Sequence, residues 1–116
     1  MVTKKLFFMD CHLAGRKYHD ADEVWDELKV GTTLRLERDK ENRFDPYAVM
    51  VVYDKEGEEY LLGYIPRGKN ETISNLLEMG WSNIFECHIS KIDPDVHPEE
   101  QIHLTLKIKR NPKAEN

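Results

Sequence analysis

Ile102, Leu104, Leu106 and Ile108 alternate with His103, Thr105, Lys107 and Lys109, the cleanest period of two in the chain. Alternation of this kind places successive side chains on opposite faces of a strand, one face apolar and one wet. Five further stretches carry related signals. Over residues 5–13, Phe7, Met9, Cys11 and Leu13 alternate with Leu6, Phe8, Asp10 and His12, and Gly15 follows. Over 33–37, Leu34 and Leu36 face in while Arg35 and Glu37 face out. Phe85, Cys87 and Ile89 alternate with Glu86, His88 and Ser90. Residues 49–53 and 60–65 are rich in β-branched and aromatic side chains, and Gly57 between them supplies a positive-φ turn position, so they form a β-hairpin.

Two segments change period. After Asp20 or Asp22, either of which suits an N-cap, Val24, Trp25 and Leu28 share a helical face before Gly31. Asn70 is placed to cap a second helix in which Ile73, Leu76 and Leu77 form a stripe up to Gly80. Six short strands and two short helices predict a mostly β fold: a small, six-stranded, partly open barrel of the OB or SH3-like kind.

Length fits this picture, since 116 residues suffice for one core and leave little room for a second. Residues 1–110 read as a single domain and 111–116 as a disordered tail. No apolar run approaches the roughly 20 residues of a membrane span, and the short apolar segment 6–9 lacks the length of a signal peptide, so a cytoplasmic protein is expected. Two cysteines are too few for a disulfide framework. Each precedes a histidine, as Cys11-His12 and Cys87-His88, which raises the question of a metal site completed by His97 or His103. Neighbours in a strand point to opposite faces and cannot chelate from one side, so buried small hydrophobes are the expected role and no metal is assigned.

Charge narrows the function. The formal net charge of −5 argues against sequence-independent binding along a nucleic-acid backbone, because such affinity comes mainly from counterion release at a basic surface. Any nucleic-acid contact must be local. A search for catalysis finds no phosphate-binding glycine loop, no metal-ligand pair at helical spacing and no nucleophile elbow. The nearest enzyme-like set is Asp45 with His19, and no enzymatic activity or cofactor is expected.

Residues 38–49 concentrate what chemistry there is: Arg38, Asn42, Arg43, Phe44 and Asp45 lie in a charged loop that runs through Ala48 into the apolar strand beginning at Val49. A ring, a carboxylate, an amide and several cations at the mouth of a sheet can hold one nucleotide by stacking and hydrogen bonding. Together with Gly15-Arg16-Lys17-Tyr18-His19 upstream and Leu62-Gly63-Tyr64-Ile65-Pro66 downstream, this order resembles the HIRAN domain. That module sits at the N-terminus of helicase-like chromatin remodellers of the SWI/SNF class and occurs alone in short bacterial proteins. The resemblance spans residues 5–108 and implies a six-stranded barrel with two helices that holds the 3′ end of single-stranded DNA. It further implies that Lys17 and Tyr18 match a basic-aromatic pair, that Phe44 stacks on a terminal base, and that Asp45 accepts a hydrogen bond from the free 3′ hydroxyl. Tyr64 and Arg67 stand where side chains reach phosphates near that end, and His19 joins the binding set where animal members often carry tyrosine. The ATPase motor and zinc-binding RING found beside HIRAN in large eukaryotic proteins have no counterpart in these residues.

Other roles compete at each position. Tyr18 could cap the edge of the core, Phe44 could anchor a mobile loop, and Asp45 could cap the turn at Pro46. Asn42 is expected to brace the loop, as is Arg38 through an ion pair with Asp45 or Glu37. At the level of function, the leading expectation is a module for single-stranded DNA ends in repair or replication, with a repair, helicase or nuclease protein as partner. The alternative is a protein-interaction adaptor that keeps the barrel, has lost DNA binding and docks proteins through its acidic surface.

Overall fold

The computed structural model describes residues 4–110; the expected tail at 111–116 lies outside them. Six strands are present: β1 (Lys5–His12), β2 (Thr33–Arg38), β3 (Val49–Lys55), β4 (Glu58–Tyr64), β5 (Phe85–Ile92) and β6 (Ile102–Lys109). One α-helix, α1 (Glu71–Glu78), joins β4 to β5 with the 3-10 turn Ser82–Ile84. The sheet order is β1-β6-β5-β2-β3-β4, with antiparallel pairing throughout. The two outer strands meet at one isolated bridge, Ala14 to Tyr64, so the barrel is partly open, as the alternation pattern anticipates.

The final strand is central, paired with β1 on one side and β5 on the other, and its Ile102, Leu104 and Leu106 are fully buried. They join Leu13, Val49, Val51, Leu62, Ile65, Ile73 and Ile89 in one core. Between β3 and β4 the hairpin turns on Glu56 and Gly57, both at positive φ (49° and 90°), the geometry whose twist matches that of the flanking strands.

The structure corrects the expected pattern in two places. A bulge shifts the β1–β6 register between Phe7 and Met9. Phe8 therefore turns toward the core, where it meets Phe85 edge-to-face at 5.7 Å, while Phe7 is left 63 % exposed. An extra residue reverses the phase of everything before it. The first expected helix is a 3-10 helix over Asp20–Glu27. Three residues per turn align Ala21 with Val24, and those two are its buried residues. Trp25 is left half-buried beneath the Arg16 guanidinium, 4.4 Å from the ring centre.

Gly63 permits the bridge that joins the two ends of the sheet. A Cβ there would lie 2.4 Å from the Ala14 carbonyl oxygen, so any side chain would force the edges apart. Elsewhere the β4 edge is protected by Asp20, whose carboxylate accepts the Leu61 amide at 3.1 Å.

Candidate nucleic-acid interface

Three segments converge at the bridged end of the barrel: the turn 15–19 after β1, the loop 39–48 between β2 and β3, and residues 64–70 leading from β4 into α1. Gly15 adopts φ 70°, which starts the 3-10 turn Arg16–Tyr18. Its amide donates to Glu99 at 2.7 Å, pinning the turn to the loop before β6. Tyr18 projects from this turn 77 % exposed, with the Lys17 ammonium 5.9 Å from its ring centre. The possibility that Tyr18 caps the core edge is thus set aside. His19 packs on Tyr64, ring centres 5.4 Å apart.

Asp39 is the hub of the 39–48 loop. Its amide donates to the Ala48 carbonyl at 2.9 Å, closing the loop base. Its carboxylate accepts the Tyr64 hydroxyl at 2.8 Å. Burial and this carboxylate push the Tyr64 phenol up to about 12, so the hydroxyl stays protonated and donating. Asn42 accepts the amides of Phe44 and Asp45 at 2.9 and 3.0 Å through its side-chain oxygen, an Asx arrangement that sets the direction of both residues.

Phe44 emerges from this bracing 87 % exposed, which removes the reading of it as an anchor in the core. Asp45 is its opposite, with a side chain only 16 % exposed. One Asp45 oxygen accepts the Tyr47 amide across Pro46 at 2.9 Å, and the other accepts the Asn70 side-chain amide at 2.9 Å. Arg67 approaches that second oxygen at 3.7 Å and donates to the Phe44 carbonyl. Burial alone would raise the Asp45 pKa; the Tyr47 amide, the Asn70 amide and Arg67 outweigh it and hold the carboxyl below the ordinary aspartate value. Asp45 is therefore an ionised acceptor at neutral pH. It caps its turn and still has lone pairs to offer.

Arg38 is placed differently from the expectation. It bonds the Ser74 hydroxyl at 3.2 Å and the Glu78 carboxylate at 3.2 Å, fastening the end of β2 to α1 rather than to Asp45 or Glu37. Glu37 points with Arg35 to the opposite face of β2, since neighbours in a strand alternate sides, and Arg67 is the cation beside Asp45. His19 and Asp45 are joined only through Tyr64, Asp39 and Asn42, so the nearest enzyme-like pair in the sequence is not assembled.

Two residues of this site escaped the sequence reading. Asn70 sits at the N-cap of α1 with helical dihedrals (φ −105°, ψ −14°) and makes no side-chain cap bond; its side-chain amide donates to Asp45, and it is 2 % exposed. Asp39 looked like one acid among many. Nothing in a linear sequence distinguishes a carboxylate that gathers a loop from one that merely solvates it.

Cys11 and Cys87 are both buried, and burial pushes the Cys11 thiol up to about 11 and raises that of Cys87 further. Among the described residues no group of three or more His, Cys, Asp or Glu side chains is placed to hold a metal ion. No helix among them is long and apolar enough to cross a membrane.

Comparison with known proteins bears on the fold and the family. A crystal structure of a protein from Lactobacillus plantarum superposes with a TM-score of 0.74 over 95 % of this chain and all of that one, at 21 % identity, which establishes the shared fold. The Fanconi-associated nuclease 1 homolog of Oryza sativa subsp. japonica is 29 % identical over 102 residues, 87 % of this chain but only 10 % of the rice protein. The HIRAN domain model matches residues 6–111, nearly the whole length, and the chain belongs to the HIRAN domain family.

Proposed function

We propose that this chain binds the 3′-hydroxyl end of single-stranded DNA, with Asp45 accepting the hydroxyl and Phe44 and Tyr18 stacking on terminal bases. HIRAN domains are nucleic-acid-binding modules rather than catalytic ones, and the proposal concerns which feature of the nucleic acid this one reads. One observation carries it: an 87 % exposed ring beside a carboxylate held ionised, in a loop braced by the side chains of Asp39 and Asn42. A large ring in water does nothing for the fold, while the bracing beneath it makes ordering on binding inexpensive. Lys17 lies beside Tyr18, and His19 packs on Tyr64, whose hydroxyl is held by Asp39 of the loop. Arg67 could release the Phe44 carbonyl to take a phosphate in a bidentate contact.

The name of the rice protein, a nuclease, supports a setting in which this module brings a nuclease or helicase partner to DNA ends during repair or replication. The adaptor reading keeps one observation in its favour. Arg35 on the β2–β3–β4 surface is engaged by Glu37, Asp54 and Glu59, an acid-rich face that a basic protein segment would match.

The test compares short single-stranded oligonucleotides that differ only at the 3′ end, by fluorescence anisotropy at low salt. A 3′ phosphate removes the donor and sets a negative charge against Asp45, so it should weaken binding by about 1–3 kcal/mol. Asp45→Asn keeps an acceptor without the charge and should narrow the gap. Equal affinity of the wild type for hydroxyl and phosphate ends would take Asp45 out of the site; absence of binding to either would leave the adaptor reading.

A further inference from the structure

Away from the bridged end, the outer face of β1 and β6 carries another exposed ring, Phe7. The bulge that turns Phe8 inward leaves Phe7 outside, directly across from Lys107, with Lys5 across from Lys109 in the next row. Glu86 on β5 lies beside Lys107 and takes an ion pair from Lys5 at 2.7 Å. All three lysines act on this one carboxylate, and its pKa is held down first by the Lys5 contact and then by Lys109 and Lys107. Three ammoniums against one carboxylate leave this face locally positive in a chain of net charge −5. The next acid along it, Asp10, is turned to the Thr105 hydroxyl at 2.6 Å.

We infer that this face is a second contact for single-stranded nucleic acid, a base stacking on Phe7 while Lys5, Lys107 and Lys109 meet the adjoining phosphates. The inference rests on the nucleic-acid reading above and extends it to the strand beyond its end. Charge complementarity selects a polyanion, and the free ring selects one with unpaired bases, since a duplex offers no base face to stack on. Phe7 lies seven residue steps before Ala14 at the bridge, roughly 23 Å at about 3.3 Å per residue. A ligand of one to three nucleotides at the end site would not reach this far, so the contact belongs to longer strands only.

The experiment measures affinity for a trinucleotide and a dodecanucleotide, both with 3′-hydroxyl ends. The wild type should bind the longer strand at least about tenfold more tightly, and Phe7→Ala should remove most of that gain while leaving the trinucleotide unchanged. Lys107→Glu should do the same and lower the salt slope for the dodecanucleotide, at about 0.7 per phosphate contact for single strands. Phe7 is exposed, so its replacement spares the fold. An unchanged dodecanucleotide affinity in Phe7→Ala would overturn the inference. So would competition by polyglutamate that Phe7→Ala does not alter, which would assign the face to an acidic protein segment. Loss of the 3′-end discrimination with the Phe7 effect intact would refute the end reading and leave this face standing.

Discussion

Phe44 and Asp45 are adjacent and do opposite things. The ring is exposed and should contribute only on binding: Phe44→Ala should weaken hydroxyl- and phosphate-ended oligonucleotides alike, by about 1–3 kcal/mol, with an unchanged melting temperature. A drop of several degrees would show that the ring supports the loop. Asp45 is sheltered, and its lowered pKa fixes a pH dependence. A depressed carboxyl stabilises the fold fully above its unfolded pKa of about 3.9, and that contribution is lost as pH falls through the folded value. Affinity for the hydroxyl-ended strand should therefore be flat from about pH 5 to 8, measured by anisotropy; the phosphate-ended strand does not serve, because its own second ionisation falls near about pH 6. A midpoint for the hydroxyl-ended strand inside that window would take recognition of the end away from Asp45.

At the scale of elements, the site depends on contacts that tie strands, loop and helix together. Asn70 holds Asp45 from the start of α1, and a hydrogen bond to a charged group is worth about 1.5–3 kcal/mol. Asn70→Ala should lower stability to urea by that order. It should also shrink the difference between hydroxyl and phosphate ends, since Asp45 loses its orientation. An unchanged discrimination would show that Tyr47 and Arg67 suffice to place the carboxylate. Gly63→Ala tests the bridge: with the Ala14 oxygen 2.4 Å from the new methyl, overpacking should cost about 1–3 kcal/mol and disturb the His19–Tyr64 contact beside it. Retention of wild-type stability in urea would mean the edges separate at little cost.

For the whole molecule, the distribution of charge outweighs its sum. Arg35, Arg38 and Lys55 are engaged by Glu37, Asp54, Glu59, Glu78 and Glu27, and Arg16 by Asp22. Lys17, Lys40, Arg43 and Lys69, which lie in or beside the site's segments, have no ion pair among the described residues. A net acidic chain can thus keep a local cationic rim. Few phosphates should be neutralised at the end site, so trinucleotide binding should fall with salt at a log-log slope of roughly two to three. A slope of six or more would reveal contacts spread along a backbone.

The linear sequence determined the sheet and its contents, because period-two alternation and the energy of burying apolar faces are local statements. β6, the hairpin on Glu56 and Gly57, and α1 before Gly80 were all legible in this way. The loop's importance was legible too, through the motif that Asn42, Phe44 and Asp45 share with a family. Tertiary structure alone decided what depends on residues meeting across the chain. A single extra residue set Phe8 inside and Phe7 outside, and a sequence pattern does not show where a register slips. The partners of Arg38 were fixed by α1, whose Ser74 and Glu78 reach that side of β2, while Glu37 points to the opposite side with Arg35. Asn70 reads in the sequence only as a helix cap, and the approach of loop to helix alone gave its side-chain amide to Asp45, because a sheltered carboxylate needs donors in place of water.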